Sequence, residues 1–185
     1  MGRNGYAWML ALLALGGIAT ADARVSPAFP EGTNSWTLSA AFTAERTGED
    51  VNLSSIHVGR DWFLLDNISI GLQGSGCWAH DQDSSPGAGL AVLGRWHFLD
   101  LGALTLYGDA LGGVLGTGQD FPTDGTEINF TYAGGLGVAY RLRCNLYLMG
   151  GARFQHISNA FIEGRDHNPV LNSYGGYLGL MWTFR

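Results

Sequence analysis

Lysine is absent from this sequence of 185 residues, so every basic group is an arginine or a histidine. Schiff-base and lysine-nucleophile chemistry are thereby excluded. Charge is scarce: Asp, Glu and Arg make up 14% of the chain, with a formal net charge of −6. No basic cluster stands out, so nucleic acid is not an expected partner. Cysteine occurs twice, as Cys77 and Cys144, in no spacing that suits a metal. No metal or cofactor is expected, and the topology argued below sets the two thiols near opposite ends of the fold, against a disulfide. A second long apolar run is also missing. The only one, from Trp8 to Leu15, follows Arg3 and precedes Ala21-Asp22-Ala23. That order of basic, apolar and small residues reads as a secretory signal over 1–23. The run is too short for a membrane-spanning helix. Residues 24–185 are then expected to form one domain.

What the sequence has is alternation. In 68–80, Ile68, Ile70, Leu72 and Trp78 alternate with Ser69, Gly71, Gln73 and Ser75. In 88–98, Leu90, Val92, Trp96 and Phe98 alternate with Gly89, Ala91, Arg95 and His97. The same period of two recurs in 35–46, 51–64, 103–116, 128–142, 145–159 and 171–184. Arg60 interrupts the apolar side of the second segment, as a bulge or an interfacial position would allow.

Such alternation suits a soluble sandwich or a membrane barrel. The segments outrun the usual globular strand of about 5 to 6 residues. One side is apolar throughout, while the other carries Gly, Ser, Thr, Asn and Arg. Trp36, Trp62, Trp78, Trp96 and Trp182 fall at segment ends, as interfacial girdles do. Hydrocarbon tolerates no open sheet edge, so the strands must close. The expected fold is all-β: an eight-stranded antiparallel outer-membrane β-barrel of a Gram-negative cell. Short turns near 66–67, 100–102 and 143–145 face the periplasm; longer stretches at 80–86, 117–127 and after 159 face outward. Asp81, Asp83, Asp120 and Asp124 then read as a solvated outer rim.

One stretch carries chemistry: Arg153-Phe154-Gln155-His156-Ile157-Ser158-Asn159-Ala160. Side chains at i and i+2 of a strand share a face, so His156 and Ser158 stand side by side. Their parity matches Leu146, Leu148 and Phe154, which places them on the lipid side at the outer end. Asn172 opens the next strand at that same end. A polar cluster facing lipid is costly without a task. A nucleophile, a base and an orienting group compose a hydrolytic site, and an ester in the outer leaflet is the substrate able to reach it. His57, His80, His97 and His167 are read as structural or solvated.

His156-Ile-Ser158-Asn159-Ala160, with Asn168-Pro-Val-Leu-Asn172 and a closing apolar strand, resembles the PagL-type lipid A 3-O-deacylases. Members of this family are eight-stranded outer-membrane barrels that remove an ester-linked acyl chain from lipid A. The resemblance implies Ser158 as nucleophile, His156 as general base, and Asn159 and Asn168 as oxyanion support. The expected partner is lipid A or lipopolysaccharide in the outer leaflet, and a homodimer stays open. Where the best-known members carry the glutamate of the triad, this chain has Asn172; related sequences with asparagine there go by the name acyloxyacyl hydrolases. Glu163 and Asp166 are alternative orienting groups, and an impaired site is a further reading. Phe161 also stands where many members have glycine. The competing functions are a non-catalytic small barrel, serving adhesion or membrane integrity, and acyl transfer in place of hydrolysis.

Overall fold

The computed structural model describes residues 27–45, 51–80, 84–162, 164 and 168–185. The expected signal at 1–23 and the side chains of Glu163 and Asp166 lie outside the described residues. The strands are β1 (Asn34–Glu45), β2 (Asn52–Leu65), β3 (Ile68–His80), β4 (Ser85–Asp100), β5 (Leu104–Phe121), β6 (Thr126–Arg143), β7 (Leu146–Ser158) and β8 (Leu171–Phe184). Each pairs antiparallel with the next, and β1 pairs with β8 to close the barrel. The expected eight-stranded architecture is what the molecule adopts.

Parity decides which side chains face out. Leu90, Val92, Trp96 and Phe98 on β4 are exposed, while Ala91, Arg95 and His97 point into the lumen and are buried. The outer face thus keeps its apolar side chains for lipid, as a transmembrane barrel requires. Register sets Trp36, Trp62, Trp96 and Trp182 at one end, the end of the short turns. Trp78 lies toward the other. Arg60 belongs to the same periplasmic girdle. Its guanidinium sits 5.1, 5.7 and 4.8 Å from the rings of Trp36, Trp62 and Phe184, and it donates to Asn34 Oδ1 at 3.2 Å. Of the two explanations for this residue, the interfacial position is the one observed.

Two features depart from the expectation. The stretch 117–127 is mostly strand, because β5 runs on to Phe121 and β6 begins at Thr126. After a register shift past Gly116 the pairing resumes at Phe121 and Thr126. The Asn129 side chain holds this hairpin tip, donating to the carbonyls of Phe121 and Thr126 at 2.7 and 2.8 Å. The second departure is in the lumen, where apolar clusters lie among the polar side chains.

At the periplasmic end, Phe29 inserts between Phe63, His97 and Tyr147, with ring centroids 5.1, 4.3 and 5.0 Å away. Its backbone is tied to Asn67, through Phe29 N–H to Asn67 Oδ1 at 2.9 Å and Asn67 N–H to Phe29 O at 2.7 Å. Above it, Arg95 pairs with Asp61 at 3.2 Å and Arg153 with Asp109 at 2.9 Å. The Tyr177 hydroxyl lies 3.2 Å from the same Asp109 oxygen and 2.8 Å from the Tyr107 hydroxyl. Nearer the outer end, Leu53, Leu115, Phe121, Ile157 and Leu171 form an apolar cap. Together these side chains pack much of the barrel interior as a core, around a cavity lined by Ser55, His57, Gln73 and Arg153.

Candidate active site

Three neighbouring strands build the site by register alone. His156 on β7 is opposite Tyr132 of β6 on one side and Asn172 of β8 on the other. Ser158, the last residue of β7, is opposite Phe130. All of these positions share the lipid-facing parity of Leu148, Phe154 and Tyr174. The row sits at the end away from the short turns, near the outer headgroup level.

The side chains connect as a relay. His156 Nδ1 lies 2.8 Å from Asn172 Oδ1, and His156 Nε2 lies 3.2 Å from Ser158 Oγ. An amide oxygen accepts, so Nδ1 carries the proton and Nε2 presents its lone pair toward the serine hydroxyl. That is the tautomer a base must have to take a proton from Ser158. The ring of Tyr132 lies over the imidazole, with centroids 4.4 Å apart and planes 20° from parallel.

The chain bends sharply as soon as β7 ends. Asn159 N–H donates to Asn168 Oδ1 at 2.9 Å, and Phe161 N–H donates to Asn159 Oδ1 at 3.0 Å. Ala160 and Phe161 take φ of 53° and 65°, left-handed values uncommon for residues with a Cβ. Asn159, before the bend, still continues the strand's alternation, and like Ile157 it is buried, only 1% exposed. Asn168 and Asn159 therefore brace the turn that follows Ser158. The structure thus brings together His156, Ser158 and Asn172, with Asn159 and Asn168 one step behind. Tyr132 is the residue that sequence reading did not single out. Its parity was legible, and the tight turn between β6 and β7 fixes the register that carries it to His156.

A contrast inside the barrel sharpens the reading. Ser55, His57 and Gln73 meet in the lumen, with His57 Nε2 2.8 Å from Ser55 Oγ and Nδ1 2.9 Å from Gln73 Nε2. There the amide donates to Nδ1, so Nε2 holds the proton and donates to Ser55. That histidine has the wrong tautomer for a base, and it lines a cavity inside the lumen rather than the lipid-facing wall. His97, with Nδ1 3.2 Å from Thr105 Oγ1, is likewise part of the interior network. Cys77 and Cys144 are both free thiols, Cys77 near the outer end of β3 and Cys144 in the turn before β7.

A family model described as lipid A 3-O-deacylase (PagL) matches residues 29–181. Among solved structures, the chain is similar to the outer membrane enzyme PagL, at 18% identity and a TM-score of 0.60, over 77% of this chain and 97% of that one. It is also similar to Neisserial surface protein A, at 14% identity and a TM-score of 0.56, over 82% of this chain and 94% of that one. The N-terminal β-barrel domain of Pseudomonas aeruginosa OprF gives 16% identity and a TM-score of 0.54, over 83% and 98% of the two chains. At these identities the structural likeness establishes the barrel fold, which several such proteins share. No curated protein sequence matches the chain. The family match covers nearly all of the described barrel, including the row on β6, β7 and β8. The chain belongs to the lipid A 3-O-deacylase (PagL) family, outer-membrane barrels that hydrolyse carboxylic esters.

Proposed function

We propose that this barrel hydrolyses the ester-linked (3-O) acyl chain of lipid A through an acyl-enzyme formed on Ser158. The observation that carries the reading is the relay Ser158–His156–Asn172, with spacings of 3.2 and 2.8 Å, on the lipid-facing wall at the outer end. An acyl ester of an outer-leaflet lipid meets that wall directly, whereas a soluble substrate would meet the loops first.

As Ser158 Oγ bonds to the ester carbonyl carbon, its proton passes to His156 Nε2, and the carbonyl oxygen takes up the negative charge. Collapse of that tetrahedral adduct breaks the bond to the sugar oxygen, which leaves with the proton from Nε2. Water then attacks the acyl-serine, again losing a proton to Nε2, and releases the fatty acid. Asn172 fixes the base in the productive tautomer throughout, by accepting from Nδ1–H. Asn159 and Asn168 support the oxyanion by holding the bend directly after the nucleophile. Residues 1–23 serve as the export signal.

Mass spectrometry of lipid A from cells producing the protein tests this reading. One hydroxyacyl chain is expected to disappear, and Ser158→Ala or His156→Ala should restore it. Loss of the chain in the Ser158→Ala variant would refute the serine mechanism. Unchanged lipid A with the folded wild-type barrel, across hosts that differ in lipid A, would refute the substrate.

A further inference from the structure

The relay contains an electrostatic gap. When Nε2 takes the serine proton, His156 becomes an imidazolium, and the group behind Nδ1 is the neutral amide of Asn172. In a Ser-His-Asp site the carboxylate both orients the ring and stabilises the cation. A neutral amide does the first and supplies only a carbonyl dipole, not a charge, for the second.

Among the described residues, the surroundings of the ring offer little else. From β6 come Phe130 and Tyr132; from β8, Asn172 and Tyr174; from β7 itself, Phe154 and Ser158. Among the described residues on this outward face of the three strands, from Ile128 to Leu142, Leu146 to Ser158 and Asn172 to Phe184, none bears a formal charge. Lipid on the open side lowers the dielectric, which makes an uncompensated cation costlier and any favourable dipole more effective.

Tyr132 is placed to meet that need. Its ring stacks 4.4 Å from the imidazole, only 20° from parallel, so the electron-rich π face is turned toward the forming cation. A ring within about 6 Å of a cation and over its face is the attractive geometry. The same stack fixes the imidazole plane, so that Nδ1 stays on Asn172 and Nε2 on Ser158. We propose that Tyr132 is a positioning residue of the hydrolysis, stabilising the His156 imidazolium where the described residues supply no carboxylate. The proposal rests on the serine mechanism above.

Tyr132 is 52% exposed on the lipid face, so an apolar replacement there is not expected to disturb folding. The experiment measures deacylation of lipid A in mixed detergent micelles by purified, refolded wild-type, Tyr132→Leu, Tyr132→Val and Tyr132→Phe proteins. Heat-dependent gel mobility verifies that each barrel is closed. Removing the π face should lower kcat by about 3- to 30-fold, with KM held within about twofold because the cation exists only during turnover. Phenylalanine keeps the π face and should restore kcat to near the wild-type value. The decisive arm repeats Tyr132→Leu in an Asn172→Glu background, where a carboxylate supplies the compensation and the loss should shrink to within about threefold.

Wild-type turnover in folded Tyr132→Leu and Tyr132→Val overturns the proposal. So does a Tyr132→Phe variant as slow as the leucine variant, or a rise in KM that accounts for the whole loss. Inactivity of Ser158→Ala alongside an unaffected Tyr132→Leu would sink only this inference. Full activity in Ser158→Ala would sink the serine reading beneath it.

Discussion

Asparagine 172 gives the sharpest handle on the mechanism. Aspartate has the same shape, so Asn172→Asp puts a carboxylate oxygen where the amide oxygen now accepts from His156 Nδ1 at 2.8 Å. The new charge centre would lie about 4 Å from that of the imidazolium, an attraction of about 4 kcal/mol at an effective dielectric of about 20. Placing the carboxylate at a half-lipid surface and keeping it hydrogen-bonded offsets much of this, leaving about 1 to 2 kcal/mol in the transition state. A gain of that size is about 5- to 30-fold in turnover. Asn172→Ala removes the oxygen altogether, frees the ring to adopt the wrong tautomer, and should lower turnover by about 10- to 100-fold. The assay is release of fatty acid from lipid A by refolded protein, normalised to closed barrel. If aspartate and alanine both leave the rate unchanged, Asn172 does not orient His156, and the role passes to a carboxylate of the following loop, Glu163 or Asp166.

Two further perturbations separate scaffold from chemistry. Asp109 bonds Arg153 at 2.9 Å, lies 3.8 Å from Arg95, and takes up the Tyr177 hydroxyl. Asp109→Ala leaves the buried Arg153 guanidinium without its counter-ion, while Arg95 keeps Asp61, and should cost about 3 to 5 kcal/mol in urea unfolding, with activity per folded barrel unchanged; equal midpoints would contradict the lumen as core. Asn168→Ala removes the acceptor for Asn159 N–H. It should slow deacylation by about tenfold through the loosened bend, while the barrel's unfolding midpoint stays put; a shifted midpoint with normal turnover would reverse that assignment.

The period of two was enough to read the fold because a bilayer imposes it on every strand within hydrocarbon. Leu90, Val92 and Trp96 had to face one way and Arg95 and His97 the other. Where the bilayer ends, so does the constraint. Beyond Gly116 the apolar alternation fades, and polar residues such as Gln119 and Asp120 look like loop although β5 runs on to Phe121. The Phe29 plug was invisible for a related reason. It is one apolar side chain in a non-periodic segment, and only the tertiary contact with Phe63 and Tyr147 gives it a place.

The site was legible in the same uneven way. Parity alone set His156 beside Ser158 on the lipid face, and the start of β8 brought Asn172 to the same end. Tyr132 needed the register across the β6–β7 turn, in which residue 132 meets 156. Asn159 looked like a lumen residue by alternation. It is buried as alternation expects; what alternation does not show is the bond from its N–H to Asn168, a contact across nine residues that no local rule foresees.

The claim that Ser158 is the nucleophile of a lipid-facing site can be tested by trapping it. The folded barrel is treated with an alkyl phosphonate probe directed at lipase serines, then digested and mapped by mass spectrometry. A single adduct on the peptide containing Ser158 is expected, absent in Ser158→Ala and strongly reduced in His156→Ala. A wild-type barrel that strips the acyl chain from lipid A yet carries no adduct at Ser158, or carries it on the lumenal Ser55, would contradict the account.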